Sequence, residues 1–268
     1  MKVTSLSQLT DLIFAKFSGE VVTMPHYVII RTPSNPGYHW GNYLYFDRPP
    51  RAGDYQAWIE LFQKEFPYYE NPHHYVFAWD SPSSDTGEIK EFTDQGFELD
   101  SGVVLTAKKL VPPSRLNKDI EIKKIESAQQ WDDATELQVA CSDPKYFNDE
   151  YRDFKKKQMA SYQEMTKAGK GHWFGAYLGD QLVGDLGIYF EDGLARYQNV
   201  GTHPDFRRQG ICGTLVFETG EYAFKNFGVH TLVMEADPDY HAARIYESVG
   251  FAKKEVNHAL SWWKGQGE

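Results

Sequence analysis

Cysteine is nearly missing from this 268-residue chain, which holds only Cys141 and Cys212. Two thiols exclude a disulfide-stapled scaffold and a cysteine-based zinc site. The nine histidines are scattered without metal-ligand spacing, and His73-His74 opens an apolar strand as a structural pair. No metal is expected. Long apolar runs are missing as well. No stretch approaches the roughly 20 apolar residues of a membrane span, and the segment from Met1 to Phe17 reads as a short amphipathic helix rather than a signal peptide. The expectation is a cytoplasmic protein without a membrane partner. Basic charge is in deficit, with 28 Lys and Arg against 38 Asp and Glu and a net charge of -10. Such a surface repels nucleic acid and suits neutral or cationic partners such as amines. The longest basic run, Lys155 to Lys157, lies between acidic residues and reads as a solvated helix face.

What is present is an ordinary globular composition, rich in Tyr and Phe. Pro112-Pro113 follows a strand-like run and marks a boundary near residue 114, giving domains at 1–114 and 115–268. After the boundary come a strand at 119–125, a helix at 128–141, and a helix capped by Asn148 or Asp149. Strands at 172–178 and 181–190 follow, joined by a tight Gly179-Asp180 turn, and then a strand at 194–202. A helix after the 203–213 loop, a strand at 231–236, a short helix stopped by Gly250 and a strand pair within 251–263 complete the pattern. The order predicts a mixed α/β (α+β) domain with a hairpin-rich, mostly antiparallel sheet flanked by helices, unlike a Rossmann alternation. The first half echoes it weakly. There are strands at 39–46, 74–79 and 103–107, a helix carrying Tyr55, Trp58, Ile59, Phe62 and Phe66 on one face, and a short helix near 88–95. Phe92 precedes Gly96-Phe97 by four residues, as Tyr246 precedes Gly250-Phe251. These matches suggest a half-length internal repeat in a smaller α/β domain.

The informative segment runs from Val200 through Arg207, Arg208, Gln209, Gly210, Ile211, Cys212, Gly213 and Thr214. A strand enters a loop with two arginines and two glycines, and the loop opens a helix. Free backbone N–H groups and the positive end of the helix dipole then converge on one point. Gly210 and Gly213 remove side chains that would hold a diphosphate away, and the arginines add charge-assisted contacts.

The spacing Arg207-x-x-Gly210-x-Cys212 resembles the Arg/Gln-x-x-Gly-x-Gly/Ala signature of the GNAT acetyltransferase superfamily, with cysteine at the last position. Asp239-x-x-Ala242-x-x-x-Tyr246-x-x-x-Gly250-Phe251 is similar to that family's second signature, with Asp239 in place of asparagine. The resemblance covers about residues 118–263. It implies the GNAT acyl-CoA acyltransferase fold, with acetyl-CoA as cosubstrate held by residues 207–214 and Asp239. It also implies that pantetheine lies between two splayed strands, paired to the main chain of Val200 and Thr202. The implied activity is acetyl transfer to a primary amine of a small molecule or peptide. Tyr246 occupies the position that protonates the thiolate. For the base, Glu235 is preferred, with Asp237, His203 and a water relay as alternatives, and the oxyanion donor is a backbone N–H near Val200. The alternative reading is a non-catalytic acyl-CoA sensor or scaffold. The chain is expected to act as a monomer or homodimer. The first half lacks these parts: Pro49-Pro50-Arg51-Ala52-Gly53 has the wrong glycine spacing, and Phe92 has no proton to give. Trp40, Tyr43, Tyr45 and Trp58 suit a core better than a substrate surface.

Overall fold

The computed structural model describes residues 1–67, 73–81, 84–143, 147–237 and 242–265. The chain forms two compact units, Met1–Val104 with Ala236–Pro238 and Lys254–Glu268, and Leu105–Glu235 with Asp239–Lys253.

The first unit opens with α1 (Leu6–Ser18), whose Ser5 cap accepts from the Gln8 N–H at 3.4 Å. The hairpin β1 (Glu20–Thr23) and β2 (Tyr27–Arg31) leads to β3 (Tyr43–Phe46), α2 (Asp54–Glu65), β4 (His74–Trp79), α3 (Lys90–Thr93) and β5 (Glu98–Ala107). The hairpin is absent from the sequence reading, because β1 is short and largely exposed and carries no alternating apolar signal. A dense aromatic cluster fills its core. Phe62, Phe66, Phe77 and Phe92 are fully buried, and Trp58 stacks on Phe46 with ring centroids 3.8 Å apart. Tyr43, Tyr45 and Trp58 are core as expected, whereas Trp40 is 44 % exposed.

The second unit holds β6 (Glu121–Lys124), α4 (Ala128–Cys141), α5 (Asp149–Lys167), β7 (Gly171–Leu178), β8 (Gln181–Glu191), β9 (Leu194–Thr202), α6 (Ile211–Asn226), β10 (Thr231–Ala236) and α7 (Ala242–Ser248). A reciprocal capping box starts α4: Ser127 Oγ accepts the Gln130 N–H, and Gln130 Oε1 accepts the Ser127 N–H. Asn148 caps α5 by accepting the Tyr151 N–H at 2.8 Å. The β7–β8 turn is the two-residue Gly179-Asp180 loop, with Gly179 at φ 61°. In the sheet, β6, β7, β8 and β9 are antiparallel neighbours in that order, and β10 joins β9 in parallel. The fold is thus the mixed, largely antiparallel sheet with flanking helices that the element order predicts.

One element corrects the reading. Residues 251–263 form a single long strand, β11 (Ala252–Trp263), instead of a strand pair. It pairs antiparallel with β4, from Ala259↔Ala78 to Trp263↔His74, which explains why residues 254–268 belong to the first unit. The prolines at 112–113 therefore do not mark a single seam, and the unit division on that side falls between Val104 and Leu105. The repeat is visible in the topology. The order β1-β2-β3-α2-β4-α3-β5 matches β7-β8-β9-α6-β10-α7-β11, and β3 and β4 are parallel just as β9 and β10 are.

Gly220 lets α6 lie directly on β9. A Cβ there would stand 2.3 Å from Tyr197 Oη and 2.4 Å from Leu110 Cδ1, and that Tyr197 hydroxyl donates to the Val216 carbonyl at 2.8 Å. On an open helix face, Gly220→Ala would stabilise by about 1 kcal/mol. Here the sign reverses: urea denaturation should show a loss of about 1–3 kcal/mol, the cost of overpacking.

Candidate active site

The site begins where a β-ladder stops. β9 and β10 pair at Thr231↔Leu194, Leu232↔Ala195 and Val233↔Arg196, and the register runs no further. From Tyr197 onward the two strands are unpaired with each other, which leaves an interstrand slot in the ladder. Beside it, β9 carries a bulge. Its pairing with β8 jumps from Asp185↔Gly201 to Gly187↔Gln198, so Leu186 faces two residues, Asn199 and Val200. Asn199 sits at φ 49°, a left-handed conformation that asparagine tolerates better than most residues with a side chain.

The loop after β9 is a concave turn of main-chain donors. Arg208 at φ 62° and Gly210 at φ 81° are both left-handed, and Gly210 is the N-cap of α6. Among the described residues, no hydrogen bond reaches the backbone N–H groups of 208 to 213. Six consecutive free donors at a helix N-terminus form an anion nest. Arg207, Arg208 and Gln209 are exposed around it, while the Ile211 side chain is core and offers the nest only its N–H. Arg207 Nε rests against the Thr202 carbonyl at 3.3 Å. Thr214 is buried with its hydroxyl committed, donating to the Gly210 carbonyl at 2.9 Å and accepting from the Asn117 N–H at 2.8 Å. Burial pushes the Cys212 thiol up to about 12, so this cysteine is unreactive at neutral pH.

Two residues that carry no motif brace the turn from behind. Arg115 Nη1 donates to the Arg208 carbonyl at 2.6 Å, and Asn117 Nδ2 donates to the Gln209 carbonyl at 2.9 Å. A trans peptide directs its C=O and N–H oppositely, so each clamped carbonyl sends the following N–H, of Gln209 and of Gly210, to the far side. The fit also explains Gly210 beyond its φ, since a Cβ there would stand 2.4 Å from the Arg115 carbonyl oxygen. Gly213 has ordinary clearance from Pro113 and Ile245.

Tyr246 is buried on α7 and meets Phe251 at 6.4 Å between centroids; Phe251 in turn meets Tyr197 of β9 at 5.8 Å. Gly250, at φ 103°, stops the helix behind it. Asp239 lies outside the described residues. Glu235 is bound by Arg196 through a 2.7 Å ion pair. Asp237 is exposed, and His203 Nδ1 accepts from the Asp205 N–H at 3.3 Å.

A buried polar cluster lies against the bulge, and the sequence reading passed over it. Asp185 of β8 is wholly buried, and its two oxygens accept from Gln138 Nε2 at 2.7 Å and Trp173 Nε1 at 2.9 Å. Burial raises its carboxyl to about 7, against the pull of those two donors and of Lys155. Lys155 is the first residue of the run read as a solvated face, yet it is buried. Desolvation lowers its ammonium to about 8, opposed by Asp185 and Cys141. Its helix turns that one position inward and leaves Lys156 and Lys157 exposed.

The first unit keeps the left-handed capping glycine of the turn, but its amides are taken by carboxylates. Gly53 caps α2 at φ 85° and ψ -1°, close to the 81° and 0° of Gly210. Its N–H is taken by both carboxylate oxygens of Glu91, at 3.0 and 3.1 Å, and the Arg51 N–H by Asp54 at 2.7 Å. The parallel pair β3–β4 stays in register from Leu44↔Phe77 to Phe46↔Trp79, the last residues of both strands, so no slot opens.

Comparison with known proteins bears on the fold and on the domain that carries this turn. No curated protein matches the chain. Among solved structures, a functionally unknown conserved protein from Staphylococcus epidermidis ATCC 12228 aligns with TM-score 0.75 at 19 % identity, covering 92 % of this chain and 95 % of that one. A GCN5-related N-acetyltransferase from Kribbella flavida aligns with TM-score 0.67 at 14 % identity, covering 97 % and 95 %. A tandem GNAT protein from the clavulanic acid biosynthesis pathway aligns with TM-score 0.60 at 12 % identity, covering 92 % and 83 %. At such identities these alignments describe the fold, including its repeated first unit. Residues 131–251 match the model of the acetyltransferase (GNAT) family, so this part of the chain is a GNAT-family domain.

Proposed function

We propose that this chain transfers an acetyl group from acetyl-CoA to a primary amine of a small molecule or peptide. The observation that carries the reading is the run of six unpartnered backbone N–H groups at 208 to 213, set at the mouth of α6 beside the β9–β10 slot. The nest and its exposed arginines suit a diphosphate, and the slot suits an extended pantetheine arm, so the residues present fit coenzyme A. The acyl-CoA supplies an activated thioester carbonyl, and every other requirement falls to the chain. The main chain of Val200 and Thr202 pairs with the pantetheine amides, displacing the long Arg207 contact at Thr202. The Val200 N–H donates to the carbonyl oxygen as negative charge builds there. Nitrogen attacks the carbonyl carbon, the carbon–sulfur bond breaks, and the departing thiolate takes the Tyr246 proton. With Glu235 tied to Arg196, the amine proton leaves through water more readily than to that carboxylate.

That ion pair also favours the second reading, a non-catalytic acyl-CoA sensor. Thiol release from acetyl-CoA across a panel of primary amines separates the two, since a sensor binds tightly and releases none. In an enzyme, Tyr246→Phe should lower kcat by about a hundredfold, the scale of a general acid, with CoA affinity by calorimetry unchanged. An equal kcat would remove Tyr246 from the chemistry. Asn117→Ala, which frees the Gln209 carbonyl, should weaken CoA binding by about tenfold, the worth of one good hydrogen bond. Titration should give one CoA per chain, because Glu91 and Asp54 occupy the corresponding turn of the first unit.

A further inference from the structure

The buried cluster beneath the bulge has a geometry that reaches beyond packing. Gln138 is 5 % exposed, and its single Nε2 amide spans two acceptors, Asp185 Oδ1 and the Asn199 carbonyl, each at 2.7 Å. Asp185 is itself fixed on its other oxygen by Trp173. Asn199, in its left-handed conformation, is tied again through its side chain, with Nδ2 donating to Gln158 Oε1 at 2.9 Å. The same Gln158 oxygen accepts from Lys155 Nζ at 2.9 Å. Gly201 completes the fit, because a Cβ there would lie 3.0 Å from Asp185 Oδ1, 3.1 Å from Gln138 Nε2 and 3.2 Å from Cys141 Sγ. A left-handed residue held from this many directions marks a position whose backbone direction matters.

We propose that Gln138, anchored by Asp185, is a positioning residue that aims the Val200 N–H at the thioester carbonyl by clamping the carbonyl of the same peptide group. The Asn199–Val200 peptide is planar and trans, so fixing its oxygen toward α4 fixes its N–H away from α4. Gln138 touches neither cosubstrate nor amine; it acts through one main-chain group. Its donor is kept on the Asn199 carbonyl because the second amide hydrogen is satisfied by Asp185, whose other oxygen cannot swing free of Trp173. The inference rests on the acyltransferase reading and names the element that sets its oxyanion donor.

The test is a pair of substitutions in the full chain, with thiol release from acetyl-CoA and CoA affinity read side by side. Gln138→Met keeps the length and loses the donor. Its kcat should fall by about ten- to hundredfold, up to the scale of losing an oxyanion donor outright, while KM for acetyl-CoA and Kd for CoA stay within about twofold. Gln138→Asn keeps the amide one methylene short and should fall several-fold with the same split. It decides the matter alone should Gln138→Met not fold. A purely structural role would raise Kd and lower the melting temperature together with any loss in kcat, and that result, or an unchanged kcat, overturns the inference. If the parent chain binds CoA and releases no thiol with any amine, the acyltransferase reading falls and takes this inference with it. If the parent turns over and Gln138→Met matches its kcat, only the inference falls.

Discussion

The working face of the second unit depends on one property of the peptide group: it is flat and trans, and its two polar ends point opposite ways. A carbonyl held from behind therefore presents an amide in front. Arg115 and Asn117 hold the carbonyls of Arg208 and Gln209, and Gln138 holds that of Asn199. The proposed diphosphate nest and the proposed oxyanion donor share one construction, backbone that any sequence has with side chains placed behind it. Rigid main-chain donors cost nothing to reorient when charge appears, which is why they outperform mobile side chains in this task. The residues setting the geometry stand behind the surface that a substrate would meet.

Seen through that constraint, the two units are a natural comparison. Both keep a left-handed glycine at a helix mouth, Gly53 and Gly210, and both keep a parallel strand pair before and after the helix. What differs is occupancy. In the second unit, side chains take the carbonyls and leave the amides open. In the first, carboxylates of Glu91 and Asp54 take amides, and β3 and β4 pair to their ends. An acidic side chain on a helix N-terminus is a stabilising cap. In the first unit the turn is thus a structural contact, and its Phe92, buried where Tyr246 stands in the repeat, belongs to an aromatic core.

Legibility in the sequence follows the same division between local and distant causes. The helix at 128–141 and the strands at 74–79, 194–202 and 231–236 match their predicted bounds, because periodicity and flanking caps are local signals. The glycine-rich turn was legible because its spacing is a motif. The route of residues 251–263 was not: whether this mixed polar and apolar segment is one strand or two depends on its partner, and the partner is β4, some 180 residues earlier in the chain. Arg115 and Asn117 follow a proline pair and look like linker. Lys155 sits in a run of three lysines, and nothing in that run says which one turns inward. Asp185 did leave a trace, as a lone carboxylate within the otherwise apolar strand of residues 182–190. A charge in that setting must find buried partners.

The cluster around Asp185 also bears on how a fold under weak local constraint keeps a bulge in place. Asn199 at positive φ carries a smaller cost than most residues with a side chain would, and the adjacent ladder offers no compensation for it, since Leu186 faces two residues. The cost is offset by side chains from α4 and α5, which come from elsewhere in the chain. Burying Asp185 and Lys155 near each other is itself expensive, as the raised carboxyl and lowered ammonium show. Hydrophobic replacements of similar volume would stabilise such a place better. The pair makes sense as the anchor of Gln138, because an amide whose second hydrogen is already satisfied has one remaining acceptor to choose, the Asn199 carbonyl. Stability spent there is direction gained at Val200.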